Sequence, residues 1–501
     1  METLLNFPHF HLVSLGITLI ILINAIYTKR LILNVLSLML IATIAYLQLS
    51  TVNETNILHF SFDLVILGLL AYPAKMISGS LLRIVYLVFS LFLLSTTHNY
   101  IAHSISESSS ANKYDQNAEL LVQFSDKKAL KDWISLHDGA YNINYPAFEP
   151  KDESYLLDEY LTIDLVNDAD VESVKNLLLK IPGIIHVEFN EVVELKLPEI
   201  SNIVPFKNNS KINDPLVSNQ WAANKFELEK FHKLISSQAA SLADRRSLIA
   251  ILDTGIDAKH EDLIDNYIST KSSYDTDPKD HGTHCAGIAA AVTGNNIGIA
   301  SWIPPDINVK LTSIKVLNTF GMGTQQTIVK GIIEAADIGA SVISISIGGV
   351  TSEAREKAYG EAVAYANSKG SIVVVAAGNS NIDAQGISPA NTKGVITITA
   401  VDQSMKKAFF GNTVDNIEMG LAAPGDAIYS TIPKNKYKSN SGTSMSAPFV
   451  SGVIGLLKLY DPELTTKEAF NLLKQDAIQR DGLFIVDPLS TFQSFFTSRS
   501  I

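Results

Sequence analysis

Three short stretches carry side chains that together could do chemistry. In Asn440-Ser441-Gly442-Thr443-Ser444-Met445-Ser446-Ala447-Pro448, small residues crowd ahead of an apolar, helical run at 449–460. A hydroxyl at Ser444 would sit at or near that helix's first turn, where free backbone N–H groups and the positive end of the dipole favour negative charge. Gly442 would let the backbone come close to a ligand. Such a mounting suits a nucleophilic serine, and it also suits an ordinary N-cap. The choice turns on a base and an orienting acid elsewhere. Asp253 follows the apolar run 248–252, at the carboxyl end of an expected strand, where open α/β sheets place their sites. His281 stands in Asp280-His281-Gly282-Thr283-His284, opening a small-residue helix. An aspartate that orients an imidazole, an imidazole that takes and returns a proton, and a serine that attacks a carbonyl make up acyl transfer. Read singly, Asp253 is a turn acid and His281 a cap or a packed histidine. His281 and His284 taken as a metal pair lack the usual carboxylate motif.

The elements that must position these residues are legible as runs. Apolar stretches at 248–252, 310–316, 342–347, 372–376 and 395–400 read as buried strands, and helical patterns at 282–292, 325–338 and 353–368 separate several of them. Apolar strands alternating with helices predict a parallel sheet covered on both faces.

With the three stretches in one such domain, Asp253-Thr254-Gly255, His281-Gly282-Thr283-His284 and Gly442-Thr443-Ser444-Met445 resemble the three signatures of the subtilisin-like serine proteases. The order Asp, His, Ser along the chain is the one known for subtilisin itself. The resemblance covers a domain at about 215–495 and implies a serine endopeptidase that needs no cofactor for its chemistry. It implies that Asn379, in Ala376-Ala377-Gly378-Asn379, gives a side-chain amide to the developing oxyanion, together with the Ser444 N–H. Ser346, Ile347 and Gly348 would pair their backbone with a peptide substrate, with Gly378 beside them. Ser444 rather than Ser446 is the nucleophile, since it directly follows Gly-Thr. By the same resemblance His284 would be structural, and Cys285, the only cysteine, is expected to be a buried structural thiol. Many members bind structural calcium; Asp262 and Asn295, in Asn295-Asn296-Ile297-Gly298, are the ligands the resemblance suggests.

The first hundred residues are different in kind. Mean hydropathy is +0.17, high for a wholly soluble chain. Apolar runs at 10–27, 31–49, 57–74 and 84–97 predict about four transmembrane helices in an all-α region at 1–98. Lys29, Arg30, Lys75 and Arg83 lie in or flank the two short links. The positive-inside rule therefore puts those links in the cytoplasm and everything after about residue 98 on the other side of a lipid bilayer. A polar tether at 99–117 comes next.

Residues 118–198 alternate strand and helix patterns and predict a small α+β domain close to a ferredoxin-like sandwich, with room for a further strand between 140 and 157. A polar linker at 199–214 leads to the larger domain. Next to a subtilisin-like domain, this small domain resembles the family's inhibitory propeptide, which would thread 192–213 toward Ser444 and be cut there. The net charge of −12 argues against a nucleic-acid partner. The leading expectation is a membrane-anchored endopeptidase acting outside the cytoplasm. The alternative is a membrane-tethered sensory or binding module that cleaves only itself.

Overall fold

The structure is a computed structural model. It describes residues 115–499 apart from 116–117, 138, 140, 153–154, 166–169, 196, 199–210, 243–244 and 351–355. The four apolar runs, most of the tether and most of the linker lie outside the described residues. Among the described residues, no helix is long and apolar enough to cross a membrane. The chain divides into compact units 1–113 and 114–501, and the described residues all belong to the second.

That unit begins with β1 (Leu120–Phe124), α1 (Lys127–His137), β2 (Asn142–Asn144), β3 (Tyr160–Asp164), α2 (Val171–Leu178) and β4 (Ile184–Phe189). The strands form one sheet in the order β2-β3-β1-β4, with each pair antiparallel. β2 fills the place left open between 140 and 157. Alternation along β1 explains the two faces. Leu120, Val122 and Phe124 pack under α1 and α2 with Leu130, Trp133 and Leu178. Leu121 faces the core of the larger sheet.

The run 192–197 reads in the sequence as a last strand of this small domain. The structure corrects that expectation: β5 (Val192–Glu194) lies outside the small sheet. It pairs antiparallel with β8 (Met322–Thr324) instead. The physical reason is burial: Val193 is 1% exposed and joins the core under the large sheet rather than that under α1 and α2.

The larger sheet holds β6 (Ser247–Asp253), β7 (Val309–Lys315), β9 (Val342–Ile345), β11 (Ile372–Ala376), β13 (Val395–Val401), β14 (Gly420–Pro424), β17 (Ile478–Arg480) and β18 (Leu483–Ile485). Their order is β17-β18-β14-β13-β11-β9-β6-β7, parallel except at the β17-β18 edge. The strands outside it are β10 (Gly349–Val350), paired with β12 (Ile387–Ser388), and the hairpin of β15 (Ile428–Ile432) and β16 (Lys436–Asn440). Period-two alternation divides each strand between two cores. Ile249, Ile251, Ile372 and Val374 face one side, and Ala250, Leu252, Val373 and Val375 face the other. Helices α3 (His281–Ala290) and α6 (Thr443–Tyr460) cover the first side; α4 (Gln325–Asp337) and α5 (Glu356–Ser368) cover the second. Large-to-small changes at such buried aliphatic positions cost about 2–5 kcal/mol. β6 is flanked by β7 and β9. The chain steps to β7 on one side and then returns to β9 on the other, so the crevice opens where β6 ends, at Asp253.

Candidate active site

Asp253 is the last residue of β6 and His281 the first of α3, and both side chains are fully buried. The helix start sits directly on the strand end. A Cβ on Gly282 would stand 2.1 Å from the Gly255 carbonyl oxygen and 3.1 Å from Asp253 Cβ, so only glycine admits this approach. The result is a close pair, with His281 Nδ1 2.8 Å from both Asp253 carboxylate oxygens. A proton on Nδ1 is held by the carboxylate, which leaves Nε2 as the basic nitrogen. Nε2 is buried and has no hydrogen-bond partner among the described residues. Burial is the largest single influence and would lower the His281 pKa, but the Asp253 charge and hydrogen bond, with the Cys285 sulfur beside it, together outweigh burial and hold the group well above its usual value.

Ser444 is the second residue of α6, which starts at Thr443, so its hydroxyl sits in the helix's first turn. Pro448 is inside the helix. It has no N–H to give to the carbonyl four residues back, which belongs to Ser444. That carbonyl is met by other donors: Ser346 Oγ at 2.9 Å and Cys285 Sγ at 3.4 Å. Cys285 is thus a packing thiol with a defined task, and burial pushes its pKa up, away from thiolate. Its sulfur is also 4.0 Å from His281 Nδ1, so it lies between the histidine and the serine backbone. The Ser444 hydroxyl itself donates to the Ser346 carbonyl at 3.0 Å. A rotation of this side chain would be needed before it could give its proton to His281 Nε2; catalytic hydrogen bonds commonly tighten only with substrate bound. His284, the other histidine of that motif, has its Nε2 3.1 Å from the Lys438 carbonyl, tying α3 to β16, and burial drives its pKa down to about 3.

Asn379 comes from the turn after β11. Its Oδ1 accepts from Thr443 N at 2.8 Å and Thr443 Oγ1 at 3.0 Å, which turns Nδ2 to the other side of the amide. A Cβ on Gly442 would stand 3.3 Å from that Nδ2 and 3.6 Å from Ser444 N. Two N–H donors therefore border one spot beside the serine. Gly378 has φ +99°, and its N–H donates to Thr443 Oγ1 at 3.0 Å. A further residue braces this turn and escapes a sequence reading. The buried Asn412 side chain donates to Ala377 O at 2.8 Å and accepts from Ser380 N at 3.0 Å and Ile382 N at 3.1 Å, while its backbone N–H donates to Gly378 O. Its local sequence, Gly411-Asn412-Thr413, looks like any turn, and its partners lie about thirty residues away.

The segment 346–348 runs out of β9 beside Ser444. Ile347 is buried in the core, and a Cβ on Gly348 would press to 2.9 Å from Ile387 Cγ2. The chain's own 192–198 occupies the neighbouring ground. β5 pairs with β8 and lies beside β10. Leu195 N–H then donates to Gly321 O at 2.9 Å, and Pro198 Cδ reaches 3.6 Å from the Cβ position of Gly442.

Asp262 and Asn295 also meet, away from this crevice. Asn295 Nδ2 donates to Asp262 Oδ1 at 2.9 Å, and Ile299 N donates to Asp262 Oδ2 at 2.8 Å. Asn295 Oδ1 accepts from Ile297 N at 2.7 Å. Asp214 adds a second acid, accepting from Gly294 N through Oδ2 while its buried Oδ1 has no hydrogen-bond partner among the described residues. Burial pushes the Asp262 carboxyl up to about 7.

The subtilase family model (Peptidase_S8) matches residues 244–491. Thermitase of Thermoactinomyces vulgaris is 40% identical over 254 residues, 49% of this chain and 84% of thermitase. Subtilisin DY of Bacillus licheniformis is 39% identical over 236 residues, 46% of this chain and 82% of that protein. Thermophilic serine proteinase of Bacillus sp. (strain AK1) is 42% identical over 214 residues, 42% of this chain and 51% of its own length. Matches at this identity over most of a relative's length leave one assignment: the chain belongs to the subtilase family and is a subtilisin-like serine protease.

Proposed function

We propose that this protease is an endopeptidase that works through an acyl-enzyme on Ser444. The observation that carries the reading is the Asp253–His281 pair, whose second imidazole nitrogen is buried near the serine's helix with no hydrogen-bond partner among the described residues. His281 Nε2 takes the Ser444 proton as Oγ attacks the scissile carbonyl carbon. The oxygen that becomes negative is met by Asn379 Nδ2 and the Ser444 N–H. The proton passes from Nε2 to the leaving amine as the C–N bond breaks. Water then repeats the sequence, giving its proton to Nε2 and releasing the acid. Ser346, Ile347 and Gly348 on one side, and β8 on the other, offer backbone for an extended peptide, with Gly378 keeping the floor open.

The small α+β domain at 118–198 is its inhibitor in this reading. Its βαββαβ order with sheet order β2-β3-β1-β4 fits a ferredoxin-like unit, and the approach of Pro198 to Gly442 supports a tail that reaches toward Ser444. Polar contacts join it to the peptidase: Gln123 Nε2 to Glu361 at 3.0 Å and Ala358 N to Glu188 at 3.1 Å. Such a tail also accommodates the narrower reading, a protein that cuts only itself. The apolar runs within 1–98 would hold both domains at a bilayer, outside the cytoplasm. A calcium ion would find carboxylate and amide oxygens at Asp262, Asn295 and Asp214; the orphaned Asp214 oxygen fits that role, and the ion would supply rigidity rather than chemistry.

The test compares purified full chain with Ser444→Ala. Wild type should be cut between Val192 and Asn213 and then hydrolyse an added peptide; the variant should stay whole and inert. A variant that still self-cleaves would overturn the assignment of Ser444. A wild type that cuts itself but never turns over an added peptide would leave the narrower reading.

A further inference from the structure

Asp277 is a carboxylate that the mechanism above does not use, yet it is 8% exposed and lies in the loop just ahead of α3. All its donors belong to the two elements that carry the acid and the base, or to the loop between them. Oδ1 accepts from Thr254 Oγ1 at 2.7 Å and Lys279 N at 3.0 Å. Oδ2 accepts from Thr283 N at 2.8 Å and Thr283 Oγ1 at 2.7 Å. Thr254 directly follows Asp253, and Thr283 is in the first turn of α3. One side chain therefore fastens the end of β6 to the start of the helix bearing His281. We propose that Asp277 is a positioning residue for the Asp253–His281 pair, acting through the Thr254 hydroxyl.

The chemistry lies in where that hydroxyl sends its single proton. Thr254 Oγ1 is 2.7 Å from Asp277 Oδ1 but 3.1 Å from Asp253 Oδ1, while it accepts from Gly282 N at 3.1 Å. Asp277 therefore draws the proton away from Asp253. Asp253 Oδ1 keeps two N–H donors, Thr254 N at 2.7 Å and His281 Nδ1. A third donor would satisfy the carboxylate further and weaken its hold on the imidazolium. Asp277 also adds a second negative charge behind the pair. The other ionisable groups around His281 are Cys285, His284, and the Lys438–Asp280 ion pair at 3.2 Å.

This rests on the acid–base reading of Asp253 and His281, so Asp253→Asn is measured alongside; normal turnover in that variant would remove the reading itself. Given that reading, Asp277→Asn should lower kcat about tenfold or more, the scale of a misplaced catalytic group, with KM within about twofold. It should also move the acid limb of kcat/KM to lower pH, because His281 loses support for its charged form. A role in folding alone would lower the melting temperature and leave kcat per active site, counted by fluorophosphonate titration, and the acid limb where they were; that result overturns the proposal. Should Asp277→Asn not fold, Thr254 serves instead. Thr254→Val should lose kcat in the same way and Thr254→Ser should recover most of it, whereas equal losses in both would overturn the hydroxyl's role.

Discussion

At the scale of single residues, Asp253, His281 and Asn379 are held by bonds that fix their orientation, while Ser444 keeps a rotation open. Asn379 shows this most clearly. Its oxygen is fully taken by Thr443 N and Oγ1, so the amide cannot flip without orphaning both donors. Asn379→Ala should lower kcat by about 10²–10³ with little change in KM, a range taken from subtilisin's own oxyanion donor. Steady-state kinetics on a peptide substrate would check it; a rise in KM with kcat intact would remove Asn379 from the transition state. Asp253, His281 and Ser444 are legible as strand-end and helix-start residues because each sits in a short motif. Asn412 and Asp277 are not. The fold brings Asn412 to a turn about thirty residues away and Asp277 to Thr254, 23 residues away, and although Lys279 and Thr283 are near Asp277 in the chain, a buried acid four residues before a histidine carries no mark of its burial.

At the scale of elements, the crevice depends on how closely α3 and α6 approach. Gly452 sits at their contact: a Cβ there would stand 2.5 Å from Ala289 O, against rigid backbone. Gly452→Ala should force the helices apart and cost about 1–3 kcal/mol, the usual range for overpacking, read as a lower melting temperature. Activity should fall further than stability accounts for, since Ser444 and His281 ride on these two helices; an unchanged melting temperature would show that the contact yields easily. The central strands and α3, α4 and α5 are legible from apolar runs and helical spacing. The β15–β16 hairpin is not, although Ser430 and Thr431 donate to His284 O and Thr283 O and so anchor α3. Its turn uses Lys434 and Asn435 at φ +68° and +55°, a left-handed pair usually signalled by Asn-Gly. A lysine there gives no warning of a turn. The start of α6 near Ser444 is legible from the small residues ahead of the apolar run, and Pro448 inside the helix is accommodated because Ser346 and Cys285 serve the freed carbonyl.

At the scale of the whole molecule, stability is linked to a buried carboxyl far from the crevice. The Asp262 carboxyl is displaced from its ordinary 3.8 to about 7, chiefly by burial. Between those values the folded chain binds a proton that the unfolded chain releases, so this group's contribution falls as pH rises from about 4 to about 7 and is level above. With a chelator present, thermal unfolding should show that slope, Asp262→Asn should lack it, and added calcium should flatten it in the wild type. A slope shared equally by Asp262→Asn would assign it to other groups. The strands of the small sheet are legible where burial patterns are local. The fate of 192–194 is not, because a strand's partner is chosen by the surface it finds, here the edge at β8. In the proposed mechanism, turnover depends on Asp253, His281 and Ser444 acting as one unit. The rate at which a fluorophosphonate labels the purified chain measures that directly. Labelling should be absent in Ser444→Ala and slower by about 10⁴ in Asp253→Asn, the loss expected when the imidazole is no longer held in the correct tautomer; labelling of Asp253→Asn at the wild-type rate would contradict it.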